Sequence, residues 1–293
     1  MNIYRDMTPS LARIESVLLL DKYAYSPDHV AFRTFRHAGG IGIFRPFLLH
    51  NGYLEMDSYE FPTKKLHARW FKPPTPELPR FFISEIKDES LSRAAQQVIF
   101  DNLTDDHFQL LHTKRPDELD VMPYPIAADE LEFLRRESEY AAWTIIHGNR
   151  VNHIAINVAD IRAGGDERDG WVESIEQVVD LLGMHGFQML TTGTPLAAGS
   201  VGLVAGSSLV PPAAGKRVIN TSRDGLLAQA SVMADPFRIL LRPDKSECGA
   251  AATKRTTVGG GFVEFIERKK GREGFEPENA LNIFNSTNVG AKV

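Results

Sequence analysis

Apolar residues recur along the chain at two periods, and the switches between them mark out the elements. Leu11, Ile14, Val17 and Leu18 lie three to four apart, the spacing of one helical face. Over 28–35, Val30, Phe32 and Thr34 alternate with His29, Ala31 and Arg33, which predicts a strand whose successive side chains leave opposite faces. After Gly39 and Gly40, the residues Ile41, Phe44, Phe47 and Leu48 return to the helical period. Strand-like runs follow near 54–61, 65–72 and 80–86, punctuated by Pro62 and by KPPTPELP at 72–79. The element order is β–α–β–β–β.

A helical interval comes next. Leu91, Ala94, Ala95, Val98 and Ile99 form one stripe behind Asp88 and Ser90, the expected N-caps. A helix over 128–146 carries Leu131, Leu134, Ala141 and Ala142 on one side, and Gly148 is placed to end it. The first order of elements then repeats. A strand over 150–158 puts His153, Ala155 and Asn157 on one face, and Val172, Ile175, Val178, Val179 and Leu182 make an amphipathic helix stopped by Gly183. Strand-like runs lie near 187–191, 217–222, 225–234 and 260–268, with a Gly/Ala/Ser/Pro-rich loop or flap at 192–215. The tail carries a short helix over 278–284.

The fold class expected from this pattern is α+β: two βαβββ modules forming a curved sheet cup, with a helical insertion. The boundaries are 1–90 for the N-terminal helix and first module, 91–149 for the insertion, and 150–293 for the second module and tail, together one integrated catalytic domain. Two unrelated α+β domains are the alternative. The modules share element order but negligible sequence identity.

Composition narrows the function. A chain of 293 residues has ample length for a buried core, and 33 Lys+Arg against 38 Asp+Glu leave a formal charge of -5, so no basic field exists for a phosphate backbone. The single cysteine, Cys248, excludes a cysteine-cluster metal site and an intrachain disulfide. The opening segment has only a four-residue apolar run, and no stretch reaches bilayer length, so the expected location is the cytoplasm and no membrane partner is expected.

Three residues carry the candidate chemistry. His29 and His153 lie on the first strand of each module, and Glu264 sits in the last strand within Phe262–Ile266, an apolar run where a carboxylate is costly unless it meets a cation or donors. Two imidazoles and one carboxylate at the floor of a cup suit non-haem Fe(II), and equally Zn²⁺ or Mn²⁺. Taken singly, each could instead be a hydrogen-bonded core histidine, or a glutamate paired with Arg268. Arg33, four residues after His29, leaves the same strand face roughly 13 Å further along. Its guanidinium could hold a carboxylate near the metal, or pair structurally with Glu85. Gln229 and Ser231, on the strand beside Glu264, are expected to line the substrate pocket, and Ser286 is a weaker candidate. His147, in the last turn of its helix, is expected to complement the helix dipole as a partial cation. His37, His50, His67, His107, His112 and His185 read as surface residues. Gly259–Gly261 enters a strand rather than a helix, so it is no phosphate loop.

The segments DHVAFRTF (28–35), ARWFKPP (68–74), LPRFFISEI (78–86), IIHGNRVNHIAI (145–156), DGLLAQASVMAD (224–235), VEFIER (263–268) and GFEPENALNIFNST (274–287) together resemble the 2-oxoadipate dioxygenase/decarboxylase family, long known only as a domain of unknown function, within the vicinal oxygen chelate superfamily. The last strand also looks like that of 4-hydroxyphenylpyruvate dioxygenase. The resemblance implies an Fe(II) enzyme of lysine catabolism that converts 2-oxoadipate and O₂ to 2-hydroxyglutarate and CO₂. It places the metal ligands on His29, His153 and Glu264, with Glu267 facing the other side of the strand, and the catalytic, substrate-carboxylate arginine on Arg33. The chain is shorter than the long bacterial members and nearer the compact plant type. The alternatives are a metal-dependent isomerase or lyase of the same superfamily, and a small-molecule binding protein that has lost catalysis.

Overall fold

The computed structural model describes residues 2–18, 20, 25, 27–103, 126–161, 172–191, 218–242 and 254–284. The 192–215 loop, His107, His112, Cys248 and Ser286 lie outside them.

The first module is built as expected. Strand β1 (Pro27–Phe35) leads to helix α3 (Ile41–His50), then β2 (Leu54–Phe61), β3 (Leu66–Lys72) and β4 (Arg80–Ile86), preceded by helices α1 (Asn2–Met7) and α2 (Ser10–Val17). The second module runs from β5 (Val151–Asn157) through helix α7 (Ile175–Met184) to β6 (Asn220–Thr221), β7 (Leu227–Ser231) and β10 (Phe262–Arg268). One eight-stranded curved sheet results, in the order β2-β3-β4-β1-β5-β10-β7-β6. Within each module the first strand pairs in parallel with the last, β1 with β4 and β5 with β10, and the modules join where β1 and β5 run antiparallel. The two halves are therefore related by an approximate two-fold at the β1–β5 seam.

Helices α4 (Arg93–Asn102), α5 (Ala128–Glu137) and α6 (Glu139–His147) occupy the insertion, and α8 (Pro277–Ile283) closes the tail. Strand alternation decides which helices cover which face. Phe32 and Ile83 meet Ile41, Phe44 and Leu48 of α3, while Ile154, Ile156, Val263 and Phe265 meet α2 and Ile175, Val178 and Leu182 of α7. On the opposite face Ala31, Phe35, Phe82 and Ile86 pack against α4, α5, α6 and Ala280 of α8. His29, Arg33, His153 and Glu264 belong to that second face, and because both faces of β1 are covered this strand is buried at nearly every position, polar residues included.

Several local expectations are corrected. The 128–146 helix is two helices, because Ser138 adopts an extended conformation and its hydroxyl caps α6 by accepting from the Ala141 N–H. The caps expected at Asp88 and Ser90 form a short 3-10 turn instead, and Ser92 caps α4 by accepting from the Ala95 N–H. The strand expected over 225–234 ends at Ser231; beyond it an unanticipated hairpin, β8 (Pro236–Leu241) with β9 (Lys254–Gly259), interrupts the second module before β10. Of the 187–191 run, only Met189 bridges, to Val232. No helix among the described residues is long and apolar enough to cross a membrane.

The glycine triplet has a packing reason. A Cβ on Gly260 would strike the Met7 carbonyl oxygen and one on Gly261 the Thr8 hydroxyl. The Gly261 N–H donates to Met7 O, the Trp143 indole donates to Gly260 O, and the Tyr4 hydroxyl donates to Phe262 O at 2.5 Å. Only a bare backbone lets α1 approach closely enough to fix the start of β10.

Glu85 of β4 organises the first crossover. Its carboxylate accepts from the Ile41 N–H at the start of α3 (2.8 Å), from Arg36 Nε (2.9 Å) and from His67 Nδ1 (3.0 Å). Arg36 and His67 thus take the partner role considered for Arg33, and His67 is half-buried rather than a surface residue. Gly40, at φ 53°, leaves the space the carboxylate fills. Burial opposes the charged form, yet His67, the Ile41 N–H and Arg36 together hold Glu85 below the usual carboxylate range. A depressed folded pKa gives stability that is present above the unfolded value and lost as pH falls. Glu85→Ala is expected to lose roughly 2–3 kcal/mol at pH 7, with the gap to the parent narrowing below about pH 4. Urea unfolding at the two pH values measures both.

Candidate metal centre

The centre spans three adjacent strands. In the ladder His29 of β1 lies across from Ala155 of β5, and Ala155 lies across from Glu264 of β10. Ala155 presents only a methyl group between the two larger side chains. His153, two residues before Ala155, leaves the same face and completes the triangle. His29 Nε2 is 3.3 Å from His153 Nε2; Glu264 Oε2 is 3.4 Å from the first and 3.1 Å from the second. Facing atoms of the three side chains all lie within 4.8 Å of one another, and all three residues are buried.

Each histidine is oriented by the residue before it. Asp28 Oδ1 lies 3.1 Å from His29 Nδ1, and Asn152 Oδ1 lies 3.0 Å from His153 Nδ1. Both partners accept, so each Nδ1 donates its proton outward and each Nε2 faces inward, where a bound metal would take its lone pair in place of a proton. Glu264 Oε1 accepts from Gln229 Nε2, which turns Oε2 toward the imidazoles, where no hydrogen-bond donor reaches it. Three buried acceptors facing one point repel unless a cation sits among them, and this donor set of two nitrogens and one oxygen fits a divalent transition metal. Metal-ligating histidines characteristically donate their second nitrogen in this way.

The electrostatics follow from burial and proximity. Burial pushes His153 down to about 4, the Glu264 charge offsetting only part of the effect. For His29 burial acts in the same sense, but the carboxylates of Glu264 and Asp28 outweigh it and raise the group above its ordinary value. Glu264 is held at about 2, burial opposing and the two histidines prevailing. Asp28 lies far below the carboxylate range despite its burial, because His29 and Arg268 stabilise its charge.

A small cavity, partly open to solvent, leads to the triangle and is lined by His29, His153, Glu264, Gln229, Arg33 and Phe275 among others. Burial lowers the Arg33 guanidinium to about 10, so it stays cationic at neutral pH. Its Cζ lies 5.0 Å from the Tyr140 ring, 5.1 Å from Trp143 and 5.9 Å from Phe284, an aromatic box on the insertion and tail. Ser231 lies directly across from Glu264 and is buried, outside the set of residues that line the cavity. Glu267 points away and accepts from the Ile175 N–H at the start of α7.

His147 is likewise not what its position suggested. It is fully buried, its Nε2 donates to Gly259 O at 2.8 Å, and burial pushes it down to about 3, so it is neutral and no dipole partner. Asp28, Asn152 and the aromatic box were missed by sequence reasoning. The signal for the first two is the Asx-His dipeptide that opens the first strand of both modules.

The model of the 2-oxoadipate dioxygenase/decarboxylase family matches residues 22–120. A 2-oxoadipate dioxygenase/decarboxylase of Oryza sativa subsp. japonica is 30% identical over 296 residues, covering 89% of this chain and 68% of the relative. The crystal structure of the hydroxyglutarate synthase of Oryza sativa in complex with 2-oxoadipate superposes with a TM-score of 0.75 at 26% identity, covering 98% of this chain and 88% of that one. A glyoxalase superfamily protein of Ralstonia eutropha JMP134 shares the fold, with a TM-score of 0.64 at 20% identity over 93% of this chain and 82% of that one.

His147 offers a test of the buried face. Its depressed folded pKa means the unfolded chain takes up a proton first, so stability is lost as pH falls below the unfolded value of about 6.5. His147→Gln is expected to flatten the decline between pH 6.5 and 4 by about 1.4 kcal/mol per pH unit, read by denaturant midpoints across that range.

Proposed function

Because the chain belongs to the 2-oxoadipate dioxygenase/decarboxylase family, we propose that it is an Fe(II)-dependent enzyme converting 2-oxoadipate and O₂ to 2-hydroxyglutarate and CO₂, a reaction of lysine catabolism. The observation that carries this reading is the buried His29–His153–Glu264 triangle at one end of a cavity whose wall carries the cationic Arg33. The composition, with one cysteine, supports a reducing, cytoplasmic setting.

His29, His153 and Glu264 would hold the ferrous ion through the three atoms they turn inward. Bound iron supplies Lewis acidity toward the 2-oxo acid and the electrons that start O₂ reduction. The chain's own residues do the rest. Arg33 binds the distal carboxylate, and its buried, ring-lined position makes the cavity selective for a substrate with a second negative charge. Phe82, Phe275 and Phe284 wall the cavity and keep water from the reacting end. Gln229 holds Glu264 Oε1 and keeps Oε2 turned inward, while Asp28 and Asn152 keep the protons on the outer nitrogens of the histidines. The atoms balance within one substrate: C1 leaves as CO₂, and the two atoms of O₂ finish in the new carboxylate and the new hydroxyl. No second 2-oxo acid is consumed.

An oxygen electrode with Fe(II)-loaded protein is expected to record uptake on adding 2-oxoadipate, with one CO₂ and one 2-hydroxyglutarate per O₂. Turnover without O₂ consumption, or with Zn²⁺ in place of Fe(II), would instead identify an isomerase or lyase. Arg33→Ala is expected to bind metal as the parent does but to lose about 2–5 kcal/mol in kcat/KM for dicarboxylic 2-oxo acids. Equal turnover by variant and parent would remove the arginine from the mechanism.

A further inference from the structure

The two histidines of the centre are backed by different chemistry. Behind His153 stands a neutral amide, Asn152; behind His29 stands a carboxylate, Asp28, buried and held by two arginines from different strands. Arg268 of β10 grips it through Nε to Oδ2 (2.8 Å) and Nη2 to Oδ1 (3.0 Å), and Arg80 of β4 reaches Oδ2 through Nη1 (2.9 Å). The third nitrogen of Arg268, Nη1, donates to the carbonyls of Arg272 (3.2 Å) and Gly274 (2.7 Å), which lead into Phe275. Phe275 packs edge-on against the His29 ring at 4.9 Å and lines the cavity.

Asp28 reaches this place because of a local irregularity. The β1–β5 register shifts between Pro27 and His29, leaving Asp28 as the extra residue of a bulge. In a regular strand neighbouring side chains leave opposite faces; a bulge re-aims one of them.

The geometry points to Asp28 and Arg268 as positioning residues for the centre: the Asp28 carboxylate, its charge shared with Arg268 and Arg80, fixes the His29 ring and tautomer, while Arg268 locks the Phe275 wall to the same ligand. The inference rests on the metal-binding reading above. Without the paired charge, His29 Nε2 would be a weaker and less well-aimed donor than it is with it. A carboxylate left with no arginine would bind the Nδ1 proton more tightly but would no longer be fixed in the bulge. The clasp thus combines a strong acceptor with a fixed position.

The test measures Co(II), an oxygen-insensitive probe, binding to the full chain by titration calorimetry and by the intensity of its visible bands, beside thermal unfolding of the metal-free protein. Asp28→Asn keeps an acceptor oxygen and removes the charge; its Co(II) affinity is expected to fall roughly 10–100-fold, with altered band intensity. Arg268→Lys, which keeps a cation beside Asp28, is expected to lose less affinity than Arg268→Met. These two variants keep the test open if Asp28→Asn fails to fold. Lower melting temperature with unchanged Co(II) affinity and spectrum in the variants would make the clasp purely structural and overturn the inference. Failure of the parent itself to bind Co(II) would overturn the metal reading, a distinct result visible before any variant is made.

Discussion

Two inward lone pairs and a carboxylate oxygen, buried and a little over 3 Å apart, set the terms for the rest of this molecule. Such a grouping is unfavourable on its own, because each acceptor has been taken from water without a donor in return. It persists because every outer atom of the three side chains is held by something else: Asp28, Asn152 and Gln229 each fix one. The architecture supplies the positions. At the seam the two first strands lie side by side and β10 flanks β5, so that β1, β5 and β10 can each contribute one ligand to a single face.

The same seam divides labour between the two faces. Helices α3 and α7, the equivalent crossovers, cover one side with an apolar layer. Insertion helices, tail and hairpin cover the other, but incompletely, and the remaining gap is the cavity. Arg33 lies in that gap among the faces of Tyr140, Trp143 and Phe284, which offer a cation electron density. An anionic ligand entering the cavity is therefore met by a buried cation.

Much of this was legible in the chain. Period-two alternation put His29 and Arg33 on one face of β1, and an isolated acid within Phe262–Ile266 marked Glu264 as a residue requiring compensation. What escaped notice depends on relations that periodicity does not encode. Asp28 is re-aimed by a bulge, so alternation assigns it to the wrong side. Ser138 breaks a helix through backbone conformation while its neighbours keep a helical pattern. His147 is neutral because burial in a dry interior outweighs the hydrogen bond to the Gly259 carbonyl, 112 residues away, which a helix-end rule applied to sequence neighbours does not anticipate. The β8–β9 hairpin lies between strands of the sheet in sequence but outside it in space, so its pattern said nothing of its placement.

The glycine triplet carries a consequence for biogenesis. It seats β10 beneath α1, and β10 is inserted between β5 and β7 although it follows every other described strand in the sequence. The opening helix and the closing strand thus complete each other, and Glu264 arrives at the histidines only then. The two histidines therefore gain the carboxylate that completes the triangle only when a strand made more than a hundred residues after His153 has been inserted beside β5.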